Sequence, residues 1–403
     1  DFDSFEQTRN RLEQLKLTGH PTSKIDLIVM GGTFPARDFN YQKEFVKGCF
    51  DALNGRRSED LQESKHRNER TENRCVGLTV ETRPDFSKKE DIDRMLELGT
   101  TRVEMGVQIP DDQIYQKIKR EHTVKDVIES TKFLKDSGLK VTYHYMPGLP
   151  GSGPEKDLEE FRNLFSDERY MPDSLKIYPT LVVENSELER WYKEGKYEPY
   201  DDEELVDLLC EMKDEIPPWA RVMRLHRDIP SDSIVAGCRS SNLRQIVHRK
   251  MEERKESCRC VRCREIGRNG VEVSDLDLNF RTRSYDASGG KEYFLSYEDE
   301  SEDVIAGLLR FRIPDEPFRE EIDGKTGLVR ELHVYGSEIP VESEKNGVQH
   351  SGFGRKLLQR AEELGMNKGM GKMAVMSGVG AREYYRKFGY TLKGPYMTKS
   401  LKE

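Results

Sequence analysis

The chain has 403 residues, 35% of them charged and 35% hydrophobic, with a net charge of −9. That length predicts two or more domains, the mixed charge excludes a disordered chain, and no apolar run approaches the roughly 18 residues that span a membrane. Seven cysteines, an odd number, argue against a secreted disulfide scaffold, so no membrane partner and a cytoplasmic setting are expected. The chain opens Asp1-Phe2-Asp3 with neither Met nor a signal peptide, and its start is read as a truncation.

In chain order, residues 1–17 read as a helix. Residues 25–30 read as a buried strand that ends in Gly31-Gly32-Thr33. Strand-like runs follow at 75–81, 102–108, 140–146, 175–180 and 221–225. Helical patterns lie between most of them, at 88–98, 124–137, 155–165 and 202–216. Strand–helix alternation predicts an α/β fold with a parallel sheet or partial barrel. Residues 56–74 are nearly all polar and read as a solvated helix or loop. Function in such sheets collects at the C-terminal strand edges. Here those edges carry Gly31, Gly32 and Thr33, then Glu81 and Arg83, then Gln108, then Met146-Pro-Gly-Leu-Pro-Gly151.

Residues 219–270 form a distinct middle. From Arg221 to Arg268 there are 13 Lys/Arg against 6 Asp/Glu. The segment holds Cys238, Cys258, Cys260 and Cys263, and four thiolates suit a closed tetrahedral zinc site. His226 or His248 can replace Cys238 as the fourth ligand. Arg259, Arg262, Arg264 and Arg268 are expected on the surface of this knot. The positive charge, with Arg239, Arg244, Arg249, Lys250, Arg254 and Arg259, suits an anionic polymer.

After Gly270 the pattern becomes antiparallel, with strands at 291–297, 303–313 and 326–335. Gln349-His350-Ser351-Gly352-Phe353-Gly354-Arg355 then opens a helix. Backbone N–H groups at a helix N-terminus bind anions. A strand at 372–377 and a helix carrying Tyr384 and Tyr385 follow.

Met30–Phe34, Gly77–Pro84 and Met146–Gly151 resemble the radical S-adenosylmethionine domain of the Elongator catalytic subunit family. The order strand, Gln-x-x-Gly-x-Gly, helix, strand, Tyr-Tyr resembles the GNAT acetyltransferase fold. The resemblance implies three parts: a partial TIM-barrel-like radical domain over 1–218, a zinc-bearing linker over 219–270 and a GNAT-fold α+β domain over 271–403. It implies S-adenosylmethionine on Gly31, Gly32 and Thr33 with Glu81, Arg83 and Gln108 nearby. It implies acetyl-CoA on Leu332, His333, Val334 and residues 349–355, with Tyr384 or Tyr385 beside the thioester. The family's 4Fe–4S cluster has no ligands in this chain: Cys49, Cys75 and Cys210 lie far apart, and family members carry the cluster cysteines further upstream. The implied activity is carboxymethylation at carbon 5 of the wobble uridine of tRNA, by radical attack of an acetyl-derived carbon. Partners would be the tRNA anticodon region and accessory subunits. A protein lysine acetyltransferase and a catalytically silent tRNA-binding scaffold are the other expected classes.

Overall fold

The structure, a computed structural model, describes residues 3–226, 229–266, 276–335 and 352–401. Its first strands are β1 (Lys24–Val29), β2 (Arg74–Thr82), β3 (Arg102–Gln108), β4 (Lys140–Tyr145), β5 (Ser174–Ile177), β6 (Val182–Val183), β7 (Arg221–Leu225) and β8 (Ile234–Ala236). Strands β1, β2, β3, β4, β5 and β7 hydrogen-bond in that order, and every pairing is parallel. A short antiparallel pair, β6 with β8, lies beside them. One face of its central strands is apolar, with Val103, Met105, Val107, Val141, Tyr143 and Tyr145 fully buried, whereas the alternate positions carry Glu104, Thr142 and His144. The polar signals between strands set the helix limits. A capping box at Thr123 and Asp126 starts helix Val124–Asp136. Gly99, with φ 94°, stops helix Lys89–Leu98.

Residues 56–74 depart from the solvated reading. They contain helix Leu61–Asn68, and Ser64, Lys65, Asn68 and Glu69 are buried. Glu69 accepts from Arg382 at 3.0 Å and from Arg386 at 2.7 Å. Its charge is neutralised by partners more than 300 residues away, which no local pattern reveals.

The second sheet is built from β9 (Asn279–Ala287), β10 (Gly290–Asp299), β11 (Val304–Ile313), β12 (Thr326–Val334), β13 (Lys372–Val375), β14 (Thr391–Lys393) and β15 (Tyr396–Ser400). Its order is β14-β15-β13-β12-β11-β10-β9. Only the β12–β13 pair is parallel among these pairings. Helix Phe353–Asn367 crosses between β12 and β13. The second sheet docks at the N-terminal ends of the parallel strands, opposite the glycine edge. Arg330 on β12 reaches the Leu139 carbonyl just before β4, and Lys140 pairs with Glu331. Gly378 lies so close to the Val76 carbonyl that any side chain there would overlap it. Lys135, Asp136, Asp173, Glu292, Arg310, Arg312 and Arg330 form a charged network at this boundary, each no more than 1% exposed.

Candidate functional site

The glycine edge is open. Gly31 and Gly32 follow β1 with φ of 126° and 89°, and a Cβ on either would meet nothing within 4 Å. Only glycine takes this backbone without strain. The Gly31 N–H donates to Glu81 at 3.3 Å. Deeper in the sheet, Glu104 Oε2 lies 3.0 Å from His144 Nε2 and pairs with Lys176. Burial pushes the Glu104 carboxyl up, but the His144 hydrogen bond and the Lys176 ammonium outweigh it and hold the group at about 2. Gln108 closes β3 with φ 66°, and its Oε1 is buried without a protein partner.

One residue at this edge was missed by sequence reasoning. Arg120 donates to the Gly106 carbonyl at 2.8 Å, and its Nε is buried without a protein partner. The missing side chain at Gly106 leaves room for both the Arg120 guanidinium and the Gln108 amide. Open glycines, a carboxylate, an unsatisfied amide oxygen and a guanidinium fit the amino-acid and ribose groups of S-adenosylmethionine. Arg83 stands differently, clamped by Asp85 at 2.6 Å and Glu121 at 2.7 Å. A 4Fe–4S cluster does not fit the described thiols outside the hinge. Burial pushes Cys49 up to about 11 and Cys75 up to about 12. Cys210 is buried and faces the Val247 carbonyl. Iron–sulfur ligation needs thiolates, and none of these three stands at the glycine edge.

Three of the four middle cysteines converge. The sulfurs of Cys258, Cys260 and Cys263 all lie within 4.8 Å of one another. His248 Nε2 is 3.7 Å from the Cys263 sulfur, and burial pushes this imidazole down to about 4, keeping it neutral. Cys238 is elsewhere, a correction to the four-cysteine set. It lines a cavity with Asp202, Ser240, Leu243, Ile246 and Lys250. Leu243, Ile246 and Lys250 share one face of helix Leu243–Glu253, whereas His248 projects from the opposite side at about 100° per residue. The helix therefore stands between Cys238 and the other three. Arg264 is also corrected: it is 2% exposed, donating to Glu298 at 2.5 Å and Asp303 at 2.7 Å.

The second unit carries a slot. β12 and β13 pair only from Thr326↔Lys372 to Val329↔Val375. Beyond Val329 they part, and among the described strands Leu332, His333 and Val334 pair only with β11. A register shift opposite Arg310 bends β12 at this point. Helix Phe353–Asn367 begins beside the slot after Gly352, φ 72°, with no side chain capping it. Among the described residues no side chain caps its first N–H groups, the kind of donors that bind anions. Gln349, His350 and Ser351 lie outside the described residues. Arg355 is exposed, and Phe353 is buried against Tyr297, ring centres 4.6 Å apart. A Cβ on Gly354 would lie 2.6 Å from the Tyr384 hydroxyl and 3.7 Å from Val334. Tyr384 therefore faces the slot. Tyr385 packs into the core, 6% exposed, its ring 6.0 Å from Tyr390.

Family sequence models match in the same order. The Radical SAM superfamily covers residues 3–165, the radical SAM C-terminal domain 172–253, and the acetyltransferase (GNAT) family 264–390. The chain is 48% identical over 408 residues to the tRNA uridine(34) acetyltransferase of Methanocaldococcus jannaschii, covering all of this chain and 75% of that protein. It is 45% identical over 406 residues to human Elongator complex protein 3, covering all of this chain and 74% of that protein. The chain belongs to the Elongator complex protein 3 family. A solved structure of a family member, the archaeal Methanocaldococcus infernus Elp3 with an N-terminal deletion (1–46), superposes with a TM-score of 0.94 at 47% identity, over 99% of this chain and 95% of that one.

Most of the basic residues nominated for RNA contact are engaged within this Elongator-family chain. Lys250 and Arg254 both pair with Asp207. Arg239 donates to the Ile234 carbonyl and Arg244 to the Val222 carbonyl. Arg259 lies 3.6 Å from Asp303. Arg249 is exposed and has no partner among the described residues. No helix among the described residues is long and apolar enough to cross a membrane.

Proposed function

We propose that this chain works on the wobble uridine of tRNA, taking its carbon from acetyl-CoA, with a carboxymethyl group at carbon 5 as the product of the complete reaction. The observation that carries the reading is the Tyr384 hydroxyl, set over Gly354 at the mouth of the β12–β13 slot, in a chain whose other sheet presents an open glycine edge. Acetyl-CoA supplies an activated two-carbon group. The chain holds it in three ways. The split beyond Val329 leaves β12 backbone groups to pair with the pantetheine arm. The N-terminus of the helix after Gly352 receives the pyrophosphate. Tyr384 stands where it protonates the departing thiolate.

At the other edge, Gly31, Gly32, Thr33, Glu81, Gln108 and Arg120 would hold S-adenosylmethionine, which supplies radical chemistry when reduced. The described thiols outside the hinge do not offer an iron cluster a place at this edge. The anticodon loop is already single-stranded, so exposing its uridine costs little. Arg249 is an exposed hinge cation available to a phosphate. We read the units as 1–218, 219–270 and 271–403, with accessory subunits open to the assembled enzyme and a cytoplasmic setting where tRNA is met. The hinge centre would hold one zinc on Cys258, Cys260, Cys263 and His248.

The reading is tested by substituting Gly352→Glu. A carboxylate at the pyrophosphate position should abolish acetyl-CoA binding and leave tRNA affinity unchanged. Unchanged acetyl-CoA binding would remove the slot from the account.

A further inference from the structure

Lys213 lies on helix Asp202–Asp214 and is 0% exposed. Its Nζ is 2.9 Å from His248 Nε2 and 3.7 Å from the Cys263 sulfur. It forms no ion pair with a carboxylate among the described residues. Arg244 and Arg262 stand near the same imidazole, yet each donates to a backbone carbonyl, that of Val222 and that of Met223. The neighbourhood is thus rich in cations. A buried ammonium without a counter-ion costs several kcal/mol in order of magnitude. The groups beside it able to carry negative charge are the sulfurs of Cys258, Cys260 and Cys263.

We propose that Lys213 is the built-in counter-ion of an anionic metal–thiolate centre. The inference rests on the zinc reading given above. Three thiolates, a neutral imidazole and one divalent ion leave a single net negative charge. Lys213 cancels it, and the buried cluster becomes neutral as a whole. Were Cys238 the fourth ligand, the centre would carry one further negative charge that this ammonium alone does not balance. When the ion takes the His248 nitrogen, the ammonium keeps the Cys263 sulfur as its acceptor. Lys213 is thus a positioning residue, acting on the metal through a ligand. It also ties the last long helix of the parallel unit to the hinge.

The experiment uses the full chain. Zinc content of the wild type tests the underlying reading: one zinc per chain supports it, and none overturns it. Lys213→Met tests the counter-ion separately. It should retain the same ligands but release zinc to a chelator about 10- to 100-fold more readily, the usual effect of losing a group that supports a ligand. Equal retention by wild type and Lys213→Met would overturn the proposal while leaving the zinc reading intact. A second readout guards against general loosening. In cobalt(II)-substituted protein, removing a cation beside a thiolate raises the sulfur donor level, so the thiolate-to-cobalt band should move to longer wavelength in Lys213→Met. A Lys213→Arg chain should keep the wild-type band. An unmoved band in Lys213→Met would overturn the proposal even if zinc retention fell.

Discussion

Arg330 grips Asp173 with both arms of its guanidinium, at 2.9 and 2.5 Å, across the boundary between the two sheets. Neither side chain is more than 1% exposed. Burial pushes the Asp173 carboxyl up, but Arg330, Lys135 and Arg310 overwhelm that and hold it far below the usual carboxylate range. Asp173 also accepts the Val141 N–H at 2.8 Å, so the pair fixes β4, β5 and β12 together.

Asp173→Ala removes the anion that Arg330, Lys135 and Arg310 share, leaving them Glu292 and Glu331. Breaking one side of a buried pair costs about 3–5 kcal/mol. Denaturant unfolding should show a loss of that order. A change below about 1 kcal/mol would mean that water replaces the carboxylate at the boundary.

Tyr384→Phe should lower coenzyme A release about 100-fold with little change in acetyl-CoA affinity, the usual contribution of a positioned acid. Tyr385→Phe should leave release within about threefold, because that ring sits in the core. Steady-state kinetics of the two variants read this directly, and the reverse ranking would place the wrong tyrosine in the slot.

Arg249→Glu should weaken tRNA binding and reduce the slope of log affinity against log salt by about one unit. Arg254→Glu should act differently, since its guanidinium is already held 2.7 Å from Asp207. Its main effect is repulsion from Asp207, seen as lower stability. Salt titrations of both variants separate the two.

Glu104 gives an acid-stability signature. Its carboxyl titrates near 2 in the folded chain against 4.5 ordinarily. A depressed folded value means the stabilisation is complete above about pH 4.5 and is lost as pH falls through 2. Glu104→Gln removes this dependence. The stability difference between wild type and variant should therefore shrink steadily across that window in an acid titration.

The parallel sheet was legible because its central strands carry apolar residues at every second position, such as Val103, Met105 and Val107, between helical patterns. The tyrosine pair was legible too, but not its division of labour, since adjacent residues of one helix point in different directions and only the packing puts Tyr384 by Gly354 and Tyr385 in the core. Cys238 misled for the same reason: spacing along the chain does not say which side of helix Leu243–Glu253 a thiol occupies. Arg310, Arg312 and Arg330 look like the polar face of a half-exposed sheet. They pair with Glu292 and Glu331 on their own sheet and with Asp136 and Asp173 of the other unit, so their full burial depends on docking as well as on local pattern. β14 and β15 were not anticipated because three and five residues are too few to show alternation, and β9 because it is a largely polar edge strand.

The central claim is that one chain joins acetyl-CoA chemistry to tRNA. The most direct measurement is free coenzyme A released from acetyl-CoA over time, with and without tRNA, and with a lysine-containing peptide in place of tRNA. The account predicts release that rises steeply when tRNA is added and stays at background with the peptide. Equal release with and without tRNA, or acetyl transfer to the peptide lysine, would contradict it.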